Sequence, residues 1–478
     1  MKKLKDILEN LIFMIEDLWD ECRLRWRKAK RKRAELKQTL SDEEYRQYRN
    51  KEQTKKILFS LGAAAACLLA VILICTGIRR GIAAVSVRMG AKDRTEQEAA
   101  TETESGTEET FTEQDITIGS TGCMLLHSPF ISSYPDEEGN YDFSSIFKYI
   151  TPYYSAPDYM TCEFEGALGG PEIGYYGYPT FRSPDAIIEN LRDSGVDLQM
   201  VATNHIYDAW SDGFHRTMDV YEEKGILYTG IRKSADARPY HIADIKGVKV
   251  GFLDYVYETA GTGTNLNGIP LSAEDGELLN SFDYDNLDAF YEEIGKNIRD
   301  MKDEGARFII TNMHWGTEYQ LTESETQREM AREMCELGVD ALIGGHPHCE
   351  QPIDVISSSD GSRRMFCIYS QGNALSNQRT YLMDAMPTGH TEDGVMVTLT
   401  LHQDRVGTVR ITGVDLLPTW VYRFQDNGSK YYILPLDDVD SLGELTGIPD
   451  IAEEAAASYL RTMEELGPGL EKAREAFQ

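Results

Sequence analysis

The sequence is poor in positive charge, and the shortage falls on the larger part of the chain. Of its 478 residues, 48 are Lys or Arg and 79 are Asp or Glu, which gives a formal net charge of −31. Residues 1–56 are the exception, with 17 Lys and Arg against 11 Asp and Glu. A body without a basic patch has nothing to neutralise phosphates, so the composition argues against nucleic acid as a partner.

The sequence also lacks a cysteine framework and an evident internal repeat. It has eight cysteines, and the five that follow residue 78 are an odd number without the spacing of a disulfide-stapled domain. The spacing leaves open whether any pair is oxidised. A length of 478 residues is too great for one small domain and suits one large α/β domain with attached segments.

One uncharged run interrupts this charged chain. Residues 57–78, ILFSLGAAAACLLAVILICTGI, have the length that crosses a hydrocarbon core of about 30 Å. A buried core helix is the competing interpretation, but core helices seldom stay apolar on every side for so long. The run lies far from the N-terminus and lacks a convincing cleavage site, which is atypical of a signal peptide. We therefore predict a single uncleaved transmembrane helix.

The flanks of this run predict its orientation. The basic block RLRWRKAKRKR favours an N-terminus inside the cell, so the acidic C-terminal body is expected outside the membrane. Residues 1–56 form a predicted cytoplasmic helical segment. Its apolar face could pack on a partner helix or lie on the membrane surface, and the sequence favours neither. Residues 79–114 are rich in Thr and Glu and predict an extended acidic linker.

From Ile116 onward, short apolar runs alternate with amphipathic segments. ITIGST and PDYMTCEFE predict strands, PDAIIENLRDSG and SETQREMAREMCELG predict helices, and a hairpin is predicted to turn at Lys246-Gly247. Consecutive strand patterns follow near the C-terminus, so we predict mixed α/β layers with an antiparallel portion. We assign this domain to residues 115–420 and a partly helical C-terminal extension to residues 421–478.

Donor side chains follow five of the predicted strands, at the point where each strand ends. The five segments are STGCMLLH, CEFEGALGG, ATNHIYD, NMHWGTEY and GGHPH. Ligands of α/β enzymes gather at the carboxyl ends of strands, and imidazole and carboxylate donors suit Zn, Mn or Fe. The repeated pattern predicts a metal site assembled from separate strands.

Each of these residues also has a structural explanation. A lone His after a strand is more often a satisfied structural residue, and Glu163 or Glu165 could serve in surface salt bridges. His205 could pair with Asp208 as a turn staple. Gly344-Gly345, which precede two histidines, predict a sharp turn of the backbone. Donor residues follow five of the predicted strands in chain order. This repetition favours one shared metal site over a separate structural role for each residue.

The motifs resemble those of the CapA family of bacterial capsule and poly-γ-glutamate synthesis proteins, itself similar in fold and metal site to the calcineurin-like metallophosphatases. The resemblance covers residues 116 to about 418. The motifs that carry it are TNHIYD (203–208), HWGTEY (314–319), GHPH (345–348) and YSQGN (369–373). This chain departs from the family at two positions, because Cys123 replaces an Asp and Glu163 replaces the Asn of Asn-Leu-Glu.

The resemblance implies a metallophosphatase-like layered α/β/β/α sandwich that holds one or two divalent metal ions, Zn, Mn or Fe. It implies that His205, oriented by Asp208, is the acid/base group or the group that stabilises the transition state. His127 and Arg182 are the predicted substrate contacts, because an acidic protein needs a cation such as Arg182 to offset its repulsion of an anionic polymer. The simpler interpretation, that Arg182 caps a surface loop, is favoured over this role. The implied metal ligands are Cys123, Glu163, Glu165, Asn204, His314, His346 and His348.

These features together predict a membrane-anchored protein that acts on capsule, poly-γ-glutamate or a related envelope polymer by metal-dependent hydrolysis or transfer. Its predicted partners are the membrane, an anionic envelope polymer and a polymer synthase complex. Two alternatives remain open at this point. One is a phosphodiesterase or phosphatase with another envelope substrate, and the other is a non-catalytic scaffold, which Cys123 favours.

Overall fold

The computed structural model describes residues 111–259 and 263–478, which belong to one compact unit. Its strands, numbered in chain order, are β1 (Gln114–Leu125), β2 (Tyr159–Glu165), β3 (Ala167–Leu168), β4 (Arg182–Ser183), β5 (Leu198–Met200), β6 (Leu227–Thr229), β7 (His241–Ile245), β8 (Val248–Tyr257), β9 (Asn265–Leu266), β10 (Ile269–Pro270), β11 (Ser281–Phe282), β12 (Phe308–His314), β13 (Ala341–Gly345), β14 (Glu350–Ser357), β15 (Arg364–Gln371), β16 (Asn373–Leu375), β17 (Asp393–Gln403), β18 (Val409–Gln425) and β19 (Ser429–Pro435).

The helices of the described residues lie between these strands and after the last of them. The α-helices are α1 (Ser128–Ser133), α2 (Thr151–Tyr154), α3 (Gly170–Ile173), α4 (Ala186–Asp193), α5 (Trp210–Lys224), α6 (Ala273–Gly276), α7 (Leu287–Asp303), α8 (Glu325–Leu337), α9 (Leu442–Thr446) and α10 (Ile451–Phe477). Short 3-10 helices span Ser144–Phe147, Tyr284–Asn286, His390–Glu392 and Val439–Ser441.

Most of the strands form two mixed sheets. The first has the order β19-β18-β17-β1-β2-β5-β6, with β16 beside β1. Its β1, β2, β5 and β6 are parallel, whereas β17, β18 and β19 continue it as an antiparallel run. The second has the order β11-β8-β12-β13-β15-β14, with β7 beside β8. The predicted mixed α/β layers with an antiparallel portion are thus confirmed.

The buried apolar side chains divide into layers. One cluster joins residues of both sheets, such as Ile118 of β1, Phe252 of β8 and Ile310 of β12, and so fills the space between the sheets. A second cluster packs α4 and α5 against the first sheet, and a third packs α7 and α8 against the second sheet. The order of layers is therefore helix, sheet, sheet, helix.

Local sequence explains several of these elements. The hairpin between β7 and β8 turns at Lys246 and Gly247, whose φ angles of 52° and 87° suit the tight turn that matches strand twist. Helix α8 begins at a capping box, in which Ser324 and Gln327 each bind the other's backbone. Both features lie where the sequence patterns predict a turn and a helix.

The C-terminal residues complete the sandwich. The boundary assigned between 420 and 421 falls inside β18, which continues to Gln425 and pairs with β19. Helix α10 packs against β14 and β18, and its Leu466 and Leu470 enter the cluster between the two sheets. The residues after 420 are part of the same unit as the rest because they supply core side chains and hydrogen-bonded strands.

Several features predicted for the N-terminal part lie outside the described residues. These are the cytoplasmic segment 1–56, the transmembrane helix 57–78 and nearly all of the linker 79–114. Within 111–259 and 263–478, no helix has both the length and the apolar composition needed to cross a bilayer. The five cysteines of these ranges are buried and free.

Leu466→Ala is expected to lower the free energy of unfolding by about 2–5 kcal/mol, because it leaves a cavity between the sheets. Leu460→Ala on the same helix is the control, since Leu460 is 65% exposed and Leu466 is fully buried. The control should change the free energy by less than about 0.5 kcal/mol. Urea denaturation measures both, and equal effects would contradict the placement of α10 in the core.

Candidate metal centre

The register of the two sheets brings the donor residues to one end of the sandwich. In the first sheet, Cys123 at the end of β1 pairs with Glu163 of β2. In the second sheet, His314 at the end of β12 pairs with Gly345 of β13. Side chains from both sheets then meet, since Glu163 Oε1 lies 2.9 Å from His314 Nδ1.

Glu163 is a fully hydrogen-bonded carboxylate. Its Oε2 accepts the Cys123 thiol at 2.7 Å, and its Oε1 accepts Asn312 Nδ2 at 3.3 Å as well as His314 Nδ1. Burial acts to raise the pKa of Glu163, but His314 and these hydrogen bonds outweigh it and hold the pKa below its usual value. Burial, followed by the charges of Glu163 and Glu165, raises the pKa of the Cys123 thiol well above its usual value.

Glu165 is different, because neither of its carboxylate oxygens has a hydrogen-bond partner among the described residues. It is fully buried, and burial together with the charge of Glu163 raises its pKa well above the usual value. The Nε2 atoms of His205, His314 and His348 lie 3.9, 3.9 and 3.8 Å from its Oε1. These separations are too long for hydrogen bonds.

The spacing around Glu165 suits a metal ion. Two donors that each lie about 2.0–2.1 Å from one ion, at a tetrahedral angle, are separated by about 3.4 Å. Three sets of donors in this part of the chain have their ligand atoms within 4.8 Å of one another: Cys123, Glu163 and His314; Cys123, Glu165 and His348; and Glu165, His314 and His346. The residues present therefore fit a divalent metal, with an unpaired carboxylate and imidazole nitrogens as its donors.

The two histidines of the GHPH motif are held as neutral imidazoles. Burial lowers the pKa of His346 well below its usual value and that of His348 to about 3. His348 Nδ1 lies 3.0 Å from Asn373 Oδ1 and His346 Nδ1 lies 3.1 Å from His314 Nε2. The contact with Asn373 orients His348 so that its Nε2 lone pair faces Glu165, as a second-sphere partner does for a metal ligand.

The sharp turn expected at Gly344-Gly345 is wrong. Strand β13 continues through both glycines, and the left-handed conformations fall on His346 (φ 91°) and His348 (φ 56°). The glycines are needed for close approach, since a Cβ on Gly345 would lie 2.0 Å from Glu163 Oε2 and one on Gly344 would lie 1.9 Å from the Tyr369 carbonyl oxygen. The strained conformations are thus carried by the histidines themselves.

His205 and Asp208 form a dyad beside the donor cluster. His205 Nδ1 lies 2.6 Å from Asp208 Oδ2, which also accepts the Phe181 backbone N–H at 2.5 Å. Burial raises the pKa of Asp208, and His205 acts against this rise. A proton held on Nδ1 by Asp208 leaves His205 Nε2 directed at Glu165, so the dyad presents one nitrogen to the centre.

His127 and Arg182 lie at the edge of this centre. His127 Nδ1 accepts the Asn377 backbone N–H at 3.2 Å, and its ring packs edge-on against Phe181, which in turn packs edge-on against His205. Burial lowers the pKa of His127 to about 4. The Arg182 guanidinium lies 5.5 and 6.0 Å from the ring centres of two half-exposed aromatic residues, Tyr176 and Trp210.

Three asparagine and aspartate residues that the sequence analysis missed support the donors. Asn312 donates one hydrogen bond to Glu163 and another, at 2.8 Å, to Asp254. Asn267 and Asn204 exchange hydrogen bonds of 3.0 Å, which leaves Asn204 Oδ1 2.7 Å from His314 Nε2. Strand alternation places Asn312 on the same face as His314 and was a usable signal, whereas no local pattern marks Asn267.

Comparison with known proteins identifies the family. Residues 117–378 match the family described as bacterial capsule synthesis protein PGA_cap, which is more than half of the chain. The chain belongs to that family. Every donor of the centre lies inside the matched range, whereas β17, β18, β19 and α10 follow it.

Two curated relatives carry related names. The capsule biosynthesis protein CapA of Bacillus anthracis is 24% identical over 243 residues, which are 50% of this chain and 55% of that protein. The PGA biosynthesis protein CapA of Bacillus subtilis (strain 168) is 24% identical over 283 residues, which are 57% of this chain and 65% of that protein. The matches thus span less than two thirds of either relative.

One solved structure, the sulfate thiohydrolase SoxB of Thermus thermophilus in complex with glycerol, aligns with 73% of this chain and 60% of that chain. The TM-score is 0.34 and the sequence identity is 10%.

Gly345→Ala is expected to displace Glu163 and to weaken metal binding by roughly 10–100-fold, as loss of an orienting contact does. The added methyl group should also destabilise the fold by about 1–3 kcal/mol. Gly443→Ala is the control, because the nearest atom to a Cβ there is 3.6 Å away. Metal titration followed by thermal denaturation measures both effects, and an unchanged affinity in Gly345→Ala would contradict the packing of Gly345 against Glu163.

Proposed function

We propose that this protein is a membrane-anchored, metal-dependent enzyme. It would hydrolyse bonds in capsule, poly-γ-glutamate or a related envelope polymer, or transfer groups of that polymer. The observation that carries the proposal is the buried Glu165 carboxylate, unpaired among the described residues and faced by the Nε2 atoms of three histidines. The membership of the PGA_cap family and the names of the two CapA relatives support the polymer. The layered sandwich and its donor set support a metallophosphatase-like fold.

The donors favour one or two ions of Zn, Mn or Fe. Three buried histidines and two glutamates offer nitrogen and carboxylate oxygen, and Cys123 adds a soft sulfur. When bound, such an ion acts as a Lewis acid that polarises the bond under attack and activates water. Glu163 and Glu165 would hold it from β2, with His314 from β12 and His346 and His348 from the loop after β13.

The remaining residues of the site would handle protons and substrate. Asp208 keeps the proton of His205 on Nδ1, so Nε2 is free to accept a proton from the attacking group and return it to the leaving group. Arg182 has its guanidinium near two half-exposed aromatic rings, those of Tyr176 and Trp210, at the edge of the centre. A cation in that position would attract an anionic polymer to a chain whose net charge is −31.

The same proposal places the protein in the cell membrane. Residues 57–78 would anchor it by a single pass, with the described domain outside and residues 1–56 inside. An anchored enzyme would meet the polymer where it leaves the cell, and a polymer synthase complex is the proposed partner in the membrane.

A second candidate function is a non-catalytic scaffold of a synthase complex, and the Cys123–Glu163 contact favours it. The thiol donates a hydrogen bond of 2.7 Å to Glu163 Oε2, which occupies two of the donors with each other. Raised pKa values of buried thiols oppose formation of the thiolate, the form in which cysteine binds metal. A centre in this state would hold metal less tightly than one with a carboxylate on β1.

Substitutions at Cys123 and Glu163, the two positions that depart from the family pattern, distinguish the enzyme from the scaffold. Cys123→Asp is expected to raise metal content because it replaces a protonated thiol with a carboxylate, and Cys123→Asp with Glu163→Asn restores the pattern of the family. Glu163→Gln should lower metal affinity by roughly 10–100-fold. Metal per chain is measured by mass spectrometry on the full-length protein, and polymer cleavage is measured on poly-γ-glutamate and on isolated capsule.

Cys162→Ala is the control for this experiment. Cys162 is a buried thiol next to Glu163 in the sequence, but its side chain packs into the core between the helices and the first sheet instead of the centre. The enzyme proposal expects metal content and cleavage to rise and fall together across the series. Metal gained without cleavage of any envelope polymer would favour the scaffold. Full metal content in the unaltered protein, unchanged by Cys123→Asp, would show that Cys123 is not part of the centre.

The anchor is tested by protease added to intact cells. Cleavage within the acidic residues 95–115 is expected to release a soluble fragment, because the linker is predicted to be extended and outside the membrane. A cytoplasmic protein probed in the same sample controls for lysis. Protection of residues 116–478 in intact cells, with digestion only after lysis, would contradict the proposed orientation.

A further inference from the structure

A second group of metal-type donors lies apart from the centre described above. Glu350 is the first residue of β14, His390 opens the 3-10 helix His390–Glu392, and Asp393 is the first residue of β17. Glu350 and Asp393 are fully buried and His390 is 7% exposed. One donor atom from each of the three lies within 4.8 Å of the others. We refer to these three residues as the Glu350 cluster.

Two atoms of the Glu350 cluster face each other without a hydrogen bond. Glu350 Oε2 and His390 Nδ1 are buried and have no hydrogen-bond partner among the described residues. They are 3.5 Å apart, which is longer than the usual range for N–H···O hydrogen bonds. The separation is close to the roughly 3.4 Å between two donors of one tetrahedral ion.

The other carboxylate oxygens of the cluster are held by α10. Thr462 Oγ1 donates to Glu350 Oε1 at 2.6 Å, and Ser458 Oγ donates to Asp393 Oδ1 at 2.6 Å. Arg461 donates to both oxygens of Asp393, at 2.7 and 2.9 Å. These contacts fix the direction of each carboxylate, as second-sphere partners do in metal sites, and they leave Glu350 Oε2 aimed at His390.

The Glu350 cluster is separate from the first centre, although the two are neighbours. Asn373 lies between them, with its Oδ1 3.0 Å from His348 Nδ1 and its Nδ2 donating to the Thr391 carbonyl oxygen at 3.0 Å. The family match ends at residue 378, so His390 and Asp393 lie beyond it. The cluster therefore takes two of its three donors from a part of the chain to which the family comparison assigns nothing.

We propose that Glu350, His390 and Asp393 form a second metal site, which binds one structural divalent ion of the Zn or Mn type. One imidazole nitrogen and two carboxylate oxygens are donors that both metals accept. An ion in this position would join the starts of β14 and β17 and, through Ser458, Arg461 and Thr462, fasten α10 to the sandwich. The metal-free arrangement would be an ion pair between protonated His390 and Glu350, and the two states differ in metal content.

The test isolates the second site by disabling the first. Full-length protein with Glu165→Gln and His314→Ala, which together remove a donor from each of the three sets of the first centre, is dialysed against Zn²⁺ and, separately, Mn²⁺, and bound metal is counted by mass spectrometry. About one equivalent of at least one of the two ions is expected to remain. Adding Glu350→Gln or His390→Gln to this background should weaken the remaining binding at least tenfold, because each removes a ligand.

His402→Gln is the matched control, since His402 Nδ1 lies 2.7 Å from Asp115 on the surface, a histidine–carboxylate pair outside the cluster. It should leave the retained metal unchanged. No retained metal in the Glu165→Gln/His314→Ala protein would overturn the proposal, and so would retained metal that neither Glu350→Gln nor His390→Gln affects. Circular dichroism checks that each variant folds.

A spectroscopic readout decides the matter where both cluster variants fail to fold. Co²⁺ is bound to the Glu165→Gln/His314→Ala protein, which keeps the cluster intact, with Cys123→Ala added to remove the thiol of the first centre. Absorption bands of Co²⁺ with nitrogen and oxygen donors are expected. A spectrum identical to that of free Co²⁺ would overturn the proposal.

Discussion

The described domain is organised around one unfavourable feature, the burial of two glutamates at the end of β2. Glu163 is stabilised by hydrogen bonds from Cys123, Asn312 and His314, but Glu165 has none in the described part of the chain. Ionising an unpaired buried carboxyl group costs several kcal/mol, so the group keeps its proton unless a cation compensates the charge, and its raised pKa reflects this cost. Imidazole nitrogens at 3.8–3.9 Å leave space for the cation.

The sequence predicted the features of this site that depend on neighbouring residues. It did not predict the contacts between strands that are distant in the chain. Alternation along β2 puts Glu163 and Glu165 on one face, and strand ends place His314 and His346 at one edge. The close approach of Gly345 to Glu163 depends on how two sheets face each other, which no local pattern encodes. The turn expected at Gly344-Gly345 was wrong for this reason. Glycine is needed at position 345 because a side chain there would collide with Glu163 of the other sheet.

The C-terminal residues also make contacts with distant strands that the sequence did not predict. A boundary at 420 follows the extent of the family motifs, but β18 runs from Val409 to Gln425 without interruption, and Leu466 and Leu470 fill the core between the sheets. The amphipathic pattern of α10 predicts a helix without identifying the surface that it covers. Its polar residues Ser458, Arg461 and Thr462 bind Asp393 and Glu350, so the helix is joined to β14 and β17 by charge as well as by apolar contact.

The exchange of donors at Cys123 and Glu163 can be understood from the register of β1 and β2. The two residues are paired neighbours on adjacent parallel strands, so a negative charge moved from one to the other stays within the same cluster. The resemblance to the family implies a carboxylate on β1 and an amide on β2, whereas this chain has a thiol on β1 and a carboxylate on β2. The number of anionic donors is therefore the same in both patterns as long as the thiol keeps its proton, which burial and two adjacent carboxylates favour. A cation is the one addition that would reverse this balance, because it favours the thiolate and both carboxylates at once.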